Sequence, residues 1–381
     1  MKRFGIIFPI LLILLTGCAD SAQPYNIHLN CTADPAYSME IVWQADTDYT
    51  KQSLYISPAD DLDNEREILA LGTKEDGVSF FNAKIDGLQP DTQYNYRIGE
   101  FQGGFKTAAE QGGFTFLFLG DPQPDTSLDL SIEEQYTVWG NLLEQSAQIA
   151  DFVLLSGDLV NDSSELNEWN LFFEAGKNVF SVKPFAAAMG NHDKSGYYRL
   201  MMSYPSYPNA PERMEDEYYS FDYQNTHFCI INSNNIIDES AIKWLAADLD
   251  NDADFNIVMM HHSPYSASNS VRDEERAKNL RDRFENIFLQ NEVDIVLVGH
   301  EHLYMRSKPM ANEKNNEENG IIYLMGVSGA KSYSSGENDY SDCLILGEQV
   351  YSHFTVDESN IFVQTFSISG EVLDSFSITA E

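Results

Sequence analysis

Five short tracts in this 381-residue chain carry side chains able to ligate a metal ion or move a proton: Gly120-Asp121, Gly157-Asp158, Gly190-Asn191-His192-Asp193, His261-His262 and Gly299-His300-Glu301-His302. Between them they hold five of the chain's eight histidines. Each follows an apolar run, and in open α/β sheets the carboxyl ends of strands are where loops converge on one crevice. Taken singly, Asp after Gly at a strand end is as a rule a turn residue or a helix N-cap. Gly-Asn-His-Asp and Gly-His-x-His are more specific, because two imidazoles two residues apart on a turn can reach two ions. The ordered set, each member behind its own strand, points to one shared site.

The runs that must position these tracts read as buried strands at 114–119, 152–155, 185–189, 228–231, 257–260 and 295–298, with 321–325 a further member. Amphipathic helices are expected between them at 132–149, 242–249 and 271–290, and alternating strands at 351–356, 361–367 and 372–378 close the domain. The hydrophilic stretch 312–319 reads as a loop insertion, and the loops 161–168, 195–217 and 263–273 are the expected walls of the site. Residues 25–106 follow another regime: apolar and polar residues alternate between turn signals, the period of half-buried strands. The acidic stretch 60–65 lacks the spacing of a calcium loop and reads as a solvated turn.

A net charge of −37 argues against a nucleic-acid scaffold, since polyanion binding depends on Lys and Arg. A phosphate substrate would have to be held by something cationic. With 43% apolar and 12% aromatic residues the chain can still bury cores, and its length suits two domains. Lys2 and Arg3 precede an apolar run at 4–15 that is too short to span a bilayer of about 30 Å. Its end, Leu15-Thr16-Gly17-Cys18, resembles the lipobox of bacterial lipoproteins, and an ordinary signal peptide is the alternative. The resemblance implies export, cleavage before Cys18 and a lipid anchor on that residue in the cell membrane. Cys31, Cys229 and Cys343 are left as an odd set whose expected role is core packing.

The expected domains are therefore a signal segment 1–18, a β-sandwich 22–108 and an α/β domain 114–381. The first resembles a fibronectin type III module, most specifically in the Leu-x-Pro-x-Thr-x-Tyr-x-Tyr run from Leu88 to Tyr96, whose Tyr94 could bond back to its loop. The ordered tracts of the second resemble the calcineurin-like metallophosphoesterases. Together with Tyr219-Ser220-Phe221-Asp222-Tyr223 and the run from Gly299 to Arg306, they are similar to the purple acid phosphatase branch. That resemblance implies a four-layer α/β sandwich with two mixed sheets and a dinuclear centre. Asp121 and His302 would bind the first ion, Asn191, His261 and His300 the second, and Asp158 both. Such donors suit Fe, Mn or Zn. His192 would protonate the leaving oxygen or hold the phosphoryl group, Asp193 would orient its ring, and His262 could help bind substrate. Tyr304 and Arg306 would support the ligands from behind. His28, His227 and His353 read as structural.

Two positions depart from the family patterns. Asn161 stands where purple enzymes have the tyrosinate that binds ferric iron, and Gln123 stands where phosphodiesterase-like members have an imidazole. The expectation is a weaker, divalent first ion, completed by Gln123, Asn161 or water, and no purple colour. The leading functional reading is a phosphomonoesterase acting on a phosphorylated small molecule by attack of a metal-bound hydroxide. The alternatives are a phosphodiesterase acting on nucleotides or envelope phosphodiesters, and a non-catalytic surface binding protein.

Overall fold

The computed structural model describes residues 22–205, 216–234 and 239–380. The signal-like segment, Cys18 and part of the expected 195–217 wall lie outside the described residues. Strands β1–β7 (Pro24–Asn30, Ser38–Ala45, Lys51–Pro58, Arg66–Glu75, Val78–Asp86, Gln93–Ile98 and Phe101–Lys106) form the sandwich. Its β4 pairs with β3 through its first half and with β5 through its second, turning the corner between the two layers. Alternation supplies the core: Ile41 and Trp43 from β2, Phe81 and Ile85 from β5, and Tyr94 and Tyr96 from β6 meet inside. The Gln89 N–H donates to Tyr94 Oη at 2.9 Å, which pins the loop at 88–93.

The α/β domain starts with β8–β10 (Phe114–Leu119, Phe152–Leu155 and Pro184–Ala187), which run parallel. Helices α1 (Ile132–Ser146) and α2 (Leu166–Phe180) connect them. A short helix α3 (Gly196–Met201) follows, and β11 (Tyr219–Tyr223) and β12 (Thr226–Ile230) form a hairpin. The second sheet then adds β13 (Phe255–Met259) and β14 (Val293–Val298), between helices α4 (Glu239–Asp248), α5 (Val271–Leu280) and α6 (Asn286–Gln290). After β15 (Tyr304–Ser307), a small hairpin β16–β17 (Met310–Ala311 and Lys314–Asn315) occupies the expected insertion, and β18 (Ile322–Met325) and β19 (Ser341–Ile345) complete that sheet. Strands β20–β22 (Val350–Val356, Asn360–Ser367 and Val372–Thr379) return to the first sheet beside β8. Both sheets mix parallel and antiparallel pairs, and they face each other.

The continuous apolar runs have a direct cause. In β13 and β14 the residues Ile257, Met259, Ile295 and Leu297 face the core between the sheets, whereas Val258, Val296 and Val298 face the outer helices. With both faces buried, no polar face remains to break the run. Phe116, Phe152 and Phe228 meet between the sheets with ring centroids 5.3–5.4 Å apart.

Three features differ from expectation. Helix α2 lies where no element was expected. Its buried Trp169, Phe172, Phe173, Gly176 and Phe180 follow helical spacing. The helix expected at 271–290 is interrupted by a π-helical turn, Arg281–Glu285. The two domains share one 13-stranded sheet, because β1 pairs in parallel with β10, Leu29 against Pro184 and Asn30 against Phe185. His28, stacked 4.2 Å from Phe173, lies in that seam, as does Tyr96 Oη, which donates to Ser181 O at 2.7 Å. Among the described residues Cys31, Cys229 and Cys343 are free thiols, the first two buried. No described helix is long and apolar enough to cross a membrane.

His227 opens a pH test of this fold. Its ring lies 2.7 Å from Asp222 Oδ1 and 3.0 Å from Asp248 Oδ2. Burial alone would lower its pKa, but the two carboxylates overcome this and lift it to about 9. An unfolded imidazole titrates near about 6.5, so the stabilisation is complete below that pH and disappears as pH rises through the folded value. Asp222 is largely exposed, so the contribution is on the order of 1–2 kcal/mol. His227→Gln should therefore be less stable than wild type at pH 6 in urea unfolding, and the gap should close by pH 10. A gap that persists unchanged at pH 10 would contradict the ion-pair account.

Candidate metal centre

The tracts converge at the carboxyl ends of strands from both sheets. Asp121 follows β8, Asp158 follows β9, the Gly190–Asp193 tract follows β10, His261 and His262 follow β13, and His300 and His302 follow β14. A parallel bridge between Asp121 and Val327 ties the sheet edges together there. Asp158, His300 and His302 adopt left-handed backbone, with φ of 50°, 73° and 48°. Non-glycine residues in that region store strain of about 1–3 kcal/mol each, and such strain concentrates at functional sites. Asp121, Asp158, His261, His262 and His302 are buried, while Asn191, His192 and His300 are half-buried and form the open side.

Four donor atoms gather around one point. His261 Nε2 is 3.3 Å from Asn191 Oδ1, 3.3 Å from Asp158 Oδ2 and 3.2 Å from His300 Nδ1. Donors bound at about 2.0–2.2 Å to a common ion stand about 3.0–3.5 Å apart, so this spacing suits one ion. The tautomers suit it as well: His261 Nδ1 donates to Ser156 O at 2.9 Å, and His300 Nε2 donates to Asp273 Oδ1 at 3.3 Å. Each ring thereby presents its other nitrogen to the site. A looser trio, Asp121, Asp158 and His302, lies beside it, with His302 Nε2 3.6 Å from Asp121 Oδ2. His302 Nδ1 and His262 Nε2 are buried without a protein partner. Carboxylate, amide and imidazole oxygens and nitrogens of this kind fit borderline divalent ions.

The electrostatics of the cluster are those of crowded buried charge. Burial raises the Asp121 carboxyl to about 7, with the charge of Asp158 adding to the effect and His261 opposing it. Burial would raise Asp158, but the charge and hydrogen bond of His261 together with those of His192 hold it well below the usual carboxylate range. Burial would lower His261, yet Asp158 and Asp121 lift it to about 9. Burial and then the charge of Lys331 push His302 down to about 3.

Other expected residues fall differently. Asp193 does not orient His192: its Oδ1 accepts from Leu159 N and its Oδ2 from Gly190 N, both at 2.8 Å. It braces the Asp158 tract against the Asn191 tract, and both oxygens are occupied because its carboxylate is wholly buried under backbone amides. The His192 ring is fixed instead by Asn161 O, 2.6 Å from Nδ1. His262 Nδ1 lies 2.8 Å from Ser233 Oγ, which leaves Nε2 facing the imidazole cluster. Tyr304 and Arg306 are remote from the ligands and instead bind Asp374 on β22, at 2.8 Å each. Sequence reasoning missed Asp273, because Ser270-x-x-Asp273 reads as a helix start, a role it also fills.

Known proteins show the same organisation. Residues 114–304 match the calcineurin-like phosphoesterase family, and residues 24–114 match the N-terminal domain of purple acid phosphatases. Purple acid phosphatase 21 of Arabidopsis thaliana is 27% identical over 377 residues, covering 86% of this chain and 82% of its own length. Purple acid phosphatase 18 of the same plant is 26% identical over 294 residues, 71% of this chain, which spans only 63% of that relative. The solved purple acid phosphatase of yellow lupin (Lupinus luteus) seeds shares the fold, with a TM-score of 0.78 at 18% identity over 94% of this chain and 74% of its own.

Close backbone approach makes the site sensitive to one methyl group. A Cβ on Gly299 would stand 2.0 Å from Asp121 Oδ1 and 2.5 Å from Ser156 Oγ. Gly299→Ala is expected to displace Asp121 and weaken metal retention by about tenfold or more, measured by elemental analysis after dialysis, with circular dichroism unchanged. Full metal retention would show that the carboxylate does not need this approach.

Proposed function

This chain belongs to the calcineurin-like phosphoesterase family, and on that premise we propose that it is a metal-dependent phosphomonoesterase that removes phosphate from a small phosphorylated molecule. The observation that carries the reading is the set of Asn191, Asp158 and His300 donors, each 3.2–3.3 Å from His261 Nε2, with His192 beside it. Two divalent ions of the Fe, Mn or Zn type fit the donors, the second held by Asn191, His261 and His300, the first by Asp121 and His302, with Asp158 shared. When bound, such ions neutralise phosphoryl oxygens and activate water. They also answer the charge problem, since an acidic protein needs local cations to hold an anion.

The chain's own residues do the rest. His192 Nδ1 is committed to Asn161 O, and its backbone N–H donates to Asp158 Oδ1 at 2.8 Å, so the ring is held with Nε2 free to carry the proton for the leaving oxygen. Asp193 and Asp273 are positioning residues, the first for the Asn191 tract and the second for His300. A cavity of about 540 Å³ opens between Met189, Lys194, Asn232 and Asn234, next to the Gly190 tract, and its size suits a small leaving group. His262 Nε2, which has no partner in the chain, is available for a phosphoryl oxygen. The lipobox-like Leu15-Thr16-Gly17-Cys18 supports export and a lipid anchor on Cys18 in the cell membrane.

The test compares p-nitrophenyl phosphate with bis-p-nitrophenyl phosphate, without metal and with Mn, Zn, Fe or Mg. Monoester cleavage is expected to depend on metal and to vanish in Asp158→Ala. His192→Ala should cut kcat by about 10²–10⁴-fold with metal content intact. Preference for the diester would favour a phosphodiesterase, and absence of both metal and activity would favour a binding protein. With Asn161 in the tyrosinate position, the iron-loaded protein should show no visible charge-transfer band.

A further inference from the structure

The two side chains that depart from the family patterns meet in space. Gln123 Nε2 donates to Asn161 Oδ1 at 3.1 Å, and Gln123 Oε1 accepts from Lys331 Nζ at 3.2 Å. Gln123 is wholly buried and Lys331 half-buried. The place of Lys331 is set from both sides. Before it, Gly329 N donates to Asp121 O at 2.7 Å, next to the Asp121–Val327 bridge. After it, Tyr333 N donates to His302 O at 3.3 Å, and the Tyr333 ring lies 4.8 Å from the His302 ring and 5.5 Å from Lys331 Nζ. The residues flanking Lys331 are thus tied to the carbonyls of Asp121 and His302, whose side chains belong to the looser trio. No carboxylate among the described residues lies within ion-pair distance of it, whereas Arg97, Arg199, Arg283 and Arg306 are each paired with Asp or Glu.

We propose that Lys331 sets the occupancy of the first metal position: by holding the side-chain oxygen of Gln123 and placing a positive charge on the His302 side of the trio, it makes that position weak and exchangeable, while the position around His261 binds tightly. The inference rests on the two-ion reading above. Three effects act in the same direction. An ammonium group close to a divalent cation repels it, more strongly in a partly buried site than in water. The Gln123 oxygen cannot serve the ion while it accepts from Lys331. An amide oxygen is also a poorer ligand for borderline ions than the imidazole or phenolate of the related patterns. The tight position also includes one amide oxygen, that of Asn191, but its two rings are backed by acceptors, Ser156 O and Asp273, and among the described residues no lysine or arginine is hydrogen bonded to its donors.

The decisive measurement is calorimetric titration of the metal-stripped chain from Ala19 with Mn²⁺, which reads binding without any assay of activity. Wild type should show two steps separated by at least about tenfold in Kd. Lys331→Met should strengthen the weak step by about tenfold or more and leave the tight step unchanged, while Lys331→Arg, which keeps the charge, should leave both steps near wild type. Adding Gln123→Ala to Lys331→Met should remove the part of the gain that comes from the released oxygen and leave the part that comes from lost repulsion. Should Lys331→Met fold poorly, Lys331→Gln provides the same loss of charge. Two equally tight steps in wild type, or an unchanged weak step in both charge-removing variants, would overturn the inference and leave the phosphoesterase reading standing. No Mn²⁺ bound by any variant would overturn the two-ion reading and this inference with it.

Discussion

Two carboxylates buried side by side govern the structure. Asp121 and Asp158 have almost no access to water, and isolated charges in such a place are costly enough that they must be paired, protonated or bound to a cation. Within the chain His261 fills that need: its ring lies between them, 3.3 Å from Asp158 and 3.9 Å from Asp121, and its proton is held well beyond the usual range. A divalent ion would displace that proton and take over its electrostatic role with more charge, so ion binding and proton release are coupled. The carboxylates can thus be paired by the chain itself, and an ion would pair them with more charge.

Rigidity comes from the sheets. Each donor stands within a few residues of a strand whose two faces are buried, so the loop carrying it has little freedom at its root. Where the loops touch, glycine is required: Gly190 approaches Asp158 so closely that a Cβ would fall 2.2 Å from Oδ1. Asp193 adds a brace between the same two loops. The left-handed backbone at Asp158, His300 and His302 is the strained end of this arrangement, held in place by bonds such as those from His300 N to both oxygens of Asp121, at 2.9 and 3.0 Å.

Much of this was legible in the sequence for a physical reason. Strands buried on both faces leave uninterrupted apolar runs, and a chemical residue directly after such a run is placed by it. The runs ending at Leu119, Leu155 and Val298 therefore located Asp121, Asp158 and His300 without any knowledge of the pairing. What escaped depends on contacts between distant segments. Nothing in Pro24–Asn30 says that this strand pairs with β10 and joins the two domains in one sheet. Asp193 stands next to His192 in sequence, yet its side chain turns to the amides of Leu159 and Gly190. Asp273 and Lys331 lie 27 and 208 residues from the partners they hold, His300 and Gln123, so local pattern carries no trace of either.

The proposed asymmetry between the two metal positions would follow from the same division. The position around His261 is built from strand ends of both sheets, and its rings are oriented by a carbonyl next to β9 and a carboxylate at the start of α5. The position around His302 instead borders the loop after β18, and Gln123 and Asn161 bring amides to its edge. An amide pair can hydrogen bond to itself and to Lys331, and it does so here. That satisfies the polar groups of the buried Gln123 without a metal, whereas the four donors around His261 have only one another and a single proton. Of the two positions, the one whose donors lack other partners has the greater electrostatic demand for an ion.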